Sequence, residues 1–254
     1  MPPSRVAPAG VPWGEIETLF LDAGNTLVSI DFPWIAGELA ALGVRCDVAA
    51  LARAEAAARP ALSRWLGGQR STETTDTFEF YVRTVLAQLP AASARGAAGL
   101  GALAAELLPA IARRRGTSDG LWRFVLPGVP EALARFRALG LRLVVVSNSD
   151  GSCERLLTEL GLRAPFHAVL DSAVVGSEKP DPRIFERALE AAGSPRERVA
   201  HVGDLFAADV AGARAAGVHA VLLDPYGDWP DDVGCERARD LSEVAERLAA
   251  ARGR

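Results

Sequence analysis

The chain has 254 residues, 49% hydrophobic and 24% charged, with a formal net charge of −4 and a pI near 5.5. That is ordinary globular composition, enough for a sizeable core in one large domain or in a domain carrying an inserted smaller one. The acidic balance leaves no electrostatic footprint for nucleic acid or for an anionic membrane, and no apolar run approaches the ~18 residues that span a bilayer. Small-molecule chemistry on a monomer or homodimer is the expectation. Cys46, Cys153 and Cys235 are widely spaced and form no paired motif, so they fit a reducing cytoplasm better than a disulfide framework or a zinc site.

Residues 1–15 are rich in Pro, Ala and Gly, lack the apolar segment of a secretion signal and read as a disordered lead-in. Glu15 to Asp22 is the first strand, nearly continuous in apolar residues and so of the kind buried on both faces. Leu27, Val28 and Ile30 extend it briefly before Asp31 and Pro33 close the segment. From residue 33 to 120 the texture becomes alanine-rich with helical periodicity. Helices are expected near Trp34–Leu42, Val48–Leu66, Asp76–Leu89 and Leu100–Arg115, with Asp47 and Thr75 or Asp76 as N-caps and Gly43 and Gly67-Gly68 as stops. Ala91 to Gly101 reads as a loop of small residues.

After Leu126-Pro127-Gly128, helix and strand alternate. Helices Val129–Leu139, Gly151–Leu160, one after Pro182 and Ala207–Ala216 are interleaved with strands Leu141–Val146, Ala168–Leu170, Val199–Val202 and Val218–Leu223. Repeated strand–helix–strand units imply an α/β fold with a Rossmann-like parallel sheet. The first strand joins that sheet, so 16–32 and 121–254 form the core and 33–120 is an inserted all-helical cap.

Open parallel sheets bind ligands beyond the carboxyl ends of their strands. Four polar segments sit there: Asp22 with the Gly24-Asn25-Thr26 turn, Ser147-Asn148-Ser149-Asp150, Lys179-Pro180-Asp181-Pro182, and Asp204 with Asp209 five residues on. A carboxylate can attack phosphorus once the negative charge of the phosphoryl group is neutralised. Asp22 and Asp204 could hold a hard divalent cation, for which Mg²⁺ is the natural choice, and Lys179 would add a fixed positive charge. Ser147, the Gly24-Asn25-Thr26 turn and the backbone N–H groups near Gly24 and Asn148 would hold the phosphate oxygens. Such parts supply positioning and charge stabilisation, which are most of what phosphoryl transfer needs.

The segments LFLDAGNTLV, VVVSNSDG, VGSEKPDPRIF and HVGDLFAADVAGARAAG resemble, in order, the motifs of the haloacid dehalogenase (HAD) superfamily, subfamily I, whose helical cap lies between the first and second motifs. The likeness covers residues 16 to 225. It implies Asp22 as nucleophile through an aspartyl phosphate, Thr26 as support for its loop, Ser147 as the phosphate-binding hydroxyl and Lys179 as the lysine steadying both. It further implies Asp22, Asp204, Asp209 (directly or through water) and the backbone carbonyl of Gly24 as metal ligands, Mg²⁺ as cofactor and a small phosphorylated metabolite as substrate.

One position departs from that pattern. Where related phosphatases carry a second Asp, the general acid and base, this chain has Gly24. A positioned acid/base is worth ~10²- to 10⁴-fold. Three readings stay open: a phosphatase for good leaving groups or one borrowing an acid such as Asp31; a hydrolase with a different leaving group, as in phosphonatases or dehalogenases; or a ligand- or partner-binding protein with impaired turnover. Phosphonatases use a cap lysine, and residues 34–120 contain none. The cap is expected to choose the substrate, with Arg45, Arg53, Arg59, Arg64, Arg70, Arg83, Trp34 and Trp65 as candidates and the Arg113-Arg114-Arg115 run as a charged helix end. His201 reads as a buried structural histidine, and Cys153 as a helix residue without chemistry.

Overall fold

The structure, a computed structural model, describes residues 10–67, 70–115 and 120–253. Six parallel strands form one sheet: β1 (Thr18–Leu21), β4 (Arg142–Ser147), β5 (Ala168–Asp171), β6 (Val199–Gly203), β7 (His219–Leu223) and β8 (Glu236–Ala238), in the spatial order β5-β4-β1-β6-β7-β8. β1 is central because its four residues, Thr-Leu-Phe-Leu, are all buried and both of its edges are paired. Leu21 lies opposite Val145 on one side and Val202 on the other, so Asp22 leaves the sheet level with Val146 and Gly203, one residue before Ser147 and Asp204. The chain reverses direction across the sheet at β1, which makes the carboxyl end of that strand the switch-point crevice of an open α/β sheet.

The helices of this unit are α6 (Val129–Ala138), α7 (Cys153–Glu159), α8 (Ser172–Val175), α9 (Pro182–Ala192), α10 (Ala211–Ala215) and α11 (Leu241–Ala251). α9 shows why the sequence places them so. Asp181 accepts the N–H of Arg183 at 2.9 Å, Pro182 fills the first turn where no N–H is needed, and Gly193 (φ 60°) ends the helix in the left-handed conformation. Ile184, Phe185, Ala188, Leu189 and Ala192 make its buried stripe and pack with Phe20, Val144, Val146, Val210 and Ala213. Each fully buried Phe or Ile contributes ~1.5–3 kcal/mol.

A second compact unit spans Val28–Phe124, the first comprising Met1–Leu27 and Val125–Arg254. It contains β2 (Val28–Ile30), α1 (Phe32–Ala41), α2 (Val48–Leu66), α3 (Thr75–Gln88), α4 (Pro90–Ser93), α5 (Gly96–Arg115) and most of β3 (Trp122–Val125). β2 and β3 pair as a two-stranded ribbon, which is why the division falls near 27/28 and 124/125 and not at the expected 32/33 and 120/121. N-caps are Asp31, Asp47 and Thr74, each accepting a backbone N–H three residues on; the third is one residue before the expected cap.

Other expectations change. Gly10 to Glu15, expected to be disordered, is ordered: Val11 is buried, Trp13 N donates to Val11 O at 2.9 Å and Glu15 N to Pro12 O at 2.8 Å. Residues 1–9 and Gly68 lie outside the described residues. The expected loop Ala91–Gly101 is mostly helix, divided between α4 and the start of α5, because its alanines favour helix and Ala92 packs into the interior. The helix expected from Ala207 begins as a π-helical turn, Phe206–Val210, before α10. No helix among the described residues is long and apolar enough to cross a membrane.

Candidate active site

The four strand-end segments converge. Asp22 N donates to Val202 O at 2.9 Å, extending the β1–β6 ladder by one residue and fixing the carboxylate at the sheet edge. The turn that follows needs one left-handed residue, and Asn25 (φ 51°) supplies it, a conformation that Asn tolerates better than most residues. Leu27 N then closes the turn onto Ala23 O at 2.9 Å. Thr26 is buried, and its hydroxyl has no hydrogen-bond partner among the described residues.

Lys179 is the centre of the charge network. Its Nζ donates to Asp22 Oδ1 at 2.6 Å and to Asp209 Oδ1 at 2.7 Å. It is also the chain's only lysine, beside 27 arginines. A compact ammonium fits between two carboxylates where a planar guanidinium would demand a wider, bidentate arrangement. The lysine backbone is held by Asn148, whose side chain accepts from Lys179 N at 2.7 Å and donates to Lys179 O at 2.9 Å, next to the cis Lys179–Pro180 bond. The Asn148 amide thus clamps the lysine loop. Gly212 permits α10 to approach the same loop: a Cβ there would lie 2.9 Å from Pro180 Cα and 2.7 Å from Phe185 Cε2.

Asp209 has more protein partners than a simple metal ligand would need. Besides Lys179, His201 Nε2 lies 2.9 Å from its Oδ1, and Leu205 N donates to Oδ2 at 2.9 Å. Its carboxylate also lies against Gly203, where a Cβ would come within 2.2 Å of Asp209 Cγ. The glycine of the Gly-Asp-x-x-x-x-Asp segment is therefore a steric requirement of the second Asp.

Burial pushes the Asp22 carboxyl up to about 6, with Lys179 opposing and Asp209 reinforcing the shift. Burial acts in the same direction on Asp209, but Lys179 and His201 outweigh it and hold that carboxyl well below its usual range. Lys179 is disfavoured as a cation by burial, yet Asp209 and Asp22 raise it above its ordinary value. Burial holds His201 below its ordinary range against the pull of Asp209. The two carboxylates thus favour the charged form of the lysine, and the lysine favours theirs.

Oxygens of Asp22, Asp204 and Asp209 all lie within 4.8 Å of one another. Three buried carboxylates, two of them sharing one ammonium, form a cluster whose excess negative charge a cation would offset. An all-oxygen donor set of this size suits a hard divalent ion.

Ser147 ends β4 buried at the sheet edge. The loop after it is held by a residue that the sequence reading passed over, Asp171, at the end of β5. Its carboxylate accepts from Gly151 N at 3.0 Å, Cys153 N at 3.1 Å and Ala173 N at 3.0 Å. It is a strand-terminal Asp and met the same positional test as the others, but the apolar Ala-Val-Val after it hid the signal. Burial, with Asp171 beside it, pushes the Cys153 thiol up to about 12, so this cysteine is an unreactive packing residue.

Other candidates have structural partners within their own unit. Asp31, weighed as a borrowed acid, caps α1 through Trp34 N at 3.1 Å and pairs with Arg114, whose guanidinium also lies 4.7 Å from the Trp34 ring centroid. Trp65 stacks on Phe80 at 4.3 Å, and the Arg70 guanidinium lies 4.2 Å from the Trp65 ring centroid. Arg59 is buried against Glu55, Nη2 to Oε2 at 2.6 Å.

The match to a family model described as haloacid dehalogenase-like hydrolase covers residues 16–217. Haloacid dehalogenase-like hydrolase domain-containing protein 3 of Mus musculus is 48% identical over 107 residues, 42% of each chain. A phosphoserine phosphatase of Thermus thermophilus is 44% identical over 125 residues, 46% of this chain and 50% of its own. The chain thus spans half or less of the length of these curated relatives. In fold it is similar to a HAD phosphatase from Thermococcus onnurineus, with a TM-score of 0.55 at 20% identity over 92% of this chain and 98% of that one. With the model match running from β1 through α10 and including all four strand-end segments, the chain belongs to the haloacid dehalogenase-like hydrolases.

Proposed function

We propose that the chain is a Mg²⁺-dependent phosphatase acting on a small phosphorylated metabolite whose leaving group departs without help from a positioned acid. The observation that carries this reading is the Lys179 ammonium shared between Asp22 and Asp209 inside a three-carboxylate cluster at the switch point of the sheet. The phosphatase name of the Thermus relative supports the reaction class.

Asp22 is the nucleophile. An oxygen of its carboxylate forms a bond to phosphorus as the bond to the leaving oxygen breaks, and that oxygen carries away the electron pair. Water then attacks the aspartyl phosphate, the Asp22–phosphorus bond breaks, phosphate leaves and the carboxylate is regenerated. Lys179 keeps its charge throughout and stabilises both the carboxylate and the transferring group. Ser147 and the N–H groups of the Gly24-Asn25-Thr26 turn and of Asn148 hold the non-bridging oxygens. Asp22, Asp204 and the Gly24 carbonyl would hold Mg²⁺, with Asp209 at its flank; when bound, the ion neutralises phosphate charge and lowers the repulsion met by the incoming carboxylate.

Gly24 offers no proton to the leaving oxygen, and Asp31 is committed to α1 and Arg114. Aryl, acyl or enol phosphates, whose leaving groups are stable as anions, then suit this site better than simple alkyl esters. The test is phosphate release from a series of aryl phosphates of graded leaving-group pKa, with and without Mg²⁺. A steep dependence of kcat/KM on that pKa, absent from Asp22→Asn, is expected. Metal-independent release, or an Asp22→Asn variant as active as the parent, would refute the reading.

A further inference from the structure

His201 takes no part in the scheme above, yet it ends the line of hydrogen bonds that reaches Asp22. We propose that His201 is a positioning residue: by donating its Nε2–H to Asp209 Oδ1, it keeps Asp209 turned so that Lys179 stays shared between Asp209 and the nucleophile Asp22.

The hydrogen-bond inventory fixes the direction of the contact. An ionised carboxylate only accepts, so the proton sits on Nε2. Asp209 Oδ1 then receives two donors, Lys179 Nζ at 2.7 Å and His201 Nε2 at 2.9 Å, and Oδ2 receives Leu205 N at 2.9 Å. Three donors from three segments define the plane of one side chain, which matters because Asp209 sits in a π-helical turn whose backbone is less regular than an α-helix.

The ring itself has little freedom. His201 is in the middle of β6, in register with Phe20 of β1, wholly buried, and edge-on to Phe185 at 5.0 Å and 87°. If this place needed only packing, an apolar ring would fill it without desolvating an imidazole, which is costly when a polar group is buried unpaired. The bond to Asp209 is what offsets that cost. Remove it, and Oδ1 is left to Lys179 alone. The ammonium is drawn toward Asp209 and away from Asp22, so its charge no longer lies where phosphate charge develops. The loss should appear in kcat and not in KM.

Lys179 gives a direct readout because the chain has no other lysine: protein labelled with ¹⁵N-lysine carries a single side-chain ammonium signal. In His201→Phe that signal should shift and exchange faster with solvent. In His201→Gln, whose side-chain N–H can reach the same oxygen, it should return toward the parent position. With 4-nitrophenyl phosphate and Mg²⁺, His201→Phe should lower kcat ~10-fold with KM changed less than ~2-fold, and His201→Gln should recover most of the loss, as is typical of groups that orient a reacting residue. A folded His201→Phe whose ammonium signal coincides with the parent's overturns the proposal, and so does equal loss of kcat in the Phe and Gln variants. Should His201→Phe not fold, the parent decides: the His201 Nε2–H proton must move on Lys179→Met, and an unmoved signal overturns the proposal. Only the kinetic arm rests on the phosphatase reading. If no phosphate ester is cleaved, that reading fails while the ammonium signal still decides the role of His201.

Discussion

Glu55 and Arg59 lie one turn apart in α2, both buried, and each neutralises the other through three contacts of 2.6–3.1 Å. In the sheet unit Asp22 and Asp209 share the Lys179 ammonium and an oxygen of Asp204 lies within 4.8 Å of oxygens of both, so carboxylates outnumber the ammonium in the cluster. The first arrangement is closed, because nothing further is needed to make it electrically acceptable in a low-dielectric interior. The second is open, and it persists because the fold fixes the carboxylates on strand ends and a tight turn, where they cannot retreat to solvent. Buried charge by itself is therefore a poor sign of function. Buried charge without its complement is a better one.

The largest expected effect is on the open cluster: Asp22→Asn should reduce phosphate release by at least ~10³-fold, measured with any aryl phosphate that the parent cleaves, since an amide is a far weaker nucleophile than the carboxylate it replaces. Next is the closed pair. Glu55→Gln takes the carboxylate away from the buried Arg59 guanidinium, and denaturant unfolding should show a loss of ~3–5 kcal/mol. A loss below ~1 kcal/mol would mean that water reaches the pair and that the contrast between the two regions is overstated.

Gly24→Asp should raise turnover of alkyl phosphates ~10²-fold and flatten the dependence on leaving-group pKa, which a single rate series detects. Asp204→Asn removes one of the crowded carboxylates, so the metal-free protein should melt higher than the parent, by ~1–2 kcal/mol in stability, while Mg²⁺ should no longer raise its melting temperature. An equal Mg²⁺ response in both proteins would separate Asp204 from the metal.

The smallest effect is at the surface. Glu243 accepts the N–H of Arg239 at 2.9 Å and pairs with Arg247 at 2.6 Å, and these contacts, the backbone N–H first, lower its carboxyl from 4.5 to about 2. With the folded value depressed, the ionised carboxylate adds stability above pH 4.5, and that contribution is lost as pH falls from 4.5 toward 2. Glu243→Gln should therefore cost less than ~1 kcal/mol at neutral pH, and the two proteins should converge in stability near the acid end of that window, as followed by thermal melts across pH.

Much of this was legible in the residues. Continuous apolar runs marked β1, β4, β6 and β7, because strands buried on both faces leave no alternation to misread, and the strand-end rule brought Asp22, Ser147, Lys179, Asp204 and Asp209 together before any coordinates. What escaped notice was local and polar. β8, with the sequence Glu-Arg-Ala, has no apolar run to announce it, and it forms by pairing with β7 at the sheet edge. β3 forms by pairing with β2, across the whole helical unit in sequence. The Asn148 clamp on Lys179 and the His201 contact with Asp209 span 31 and 8 residues. Residue type alone could nominate those side chains for several tasks, and only geometry decides which atoms they meet. Asp31 shows the reverse case: its type and place made it eligible as an acid, and Arg114, 83 residues away, occupies it.

The central position of β1 also sets the order in which the protein can be made. β1 is translated well before its second neighbour, β6, in which Val199 pairs with Thr18. At ~5–20 residues per second, roughly ten to forty seconds of synthesis separate the two. For that interval a growing chain has one side of β1 uncovered, and it lacks Asp204, Asp209 and His201. Asp22 is therefore synthesised long before the groups gathered around it, so a nascent chain is exposed to aggregation through β1 well before the cluster can assemble.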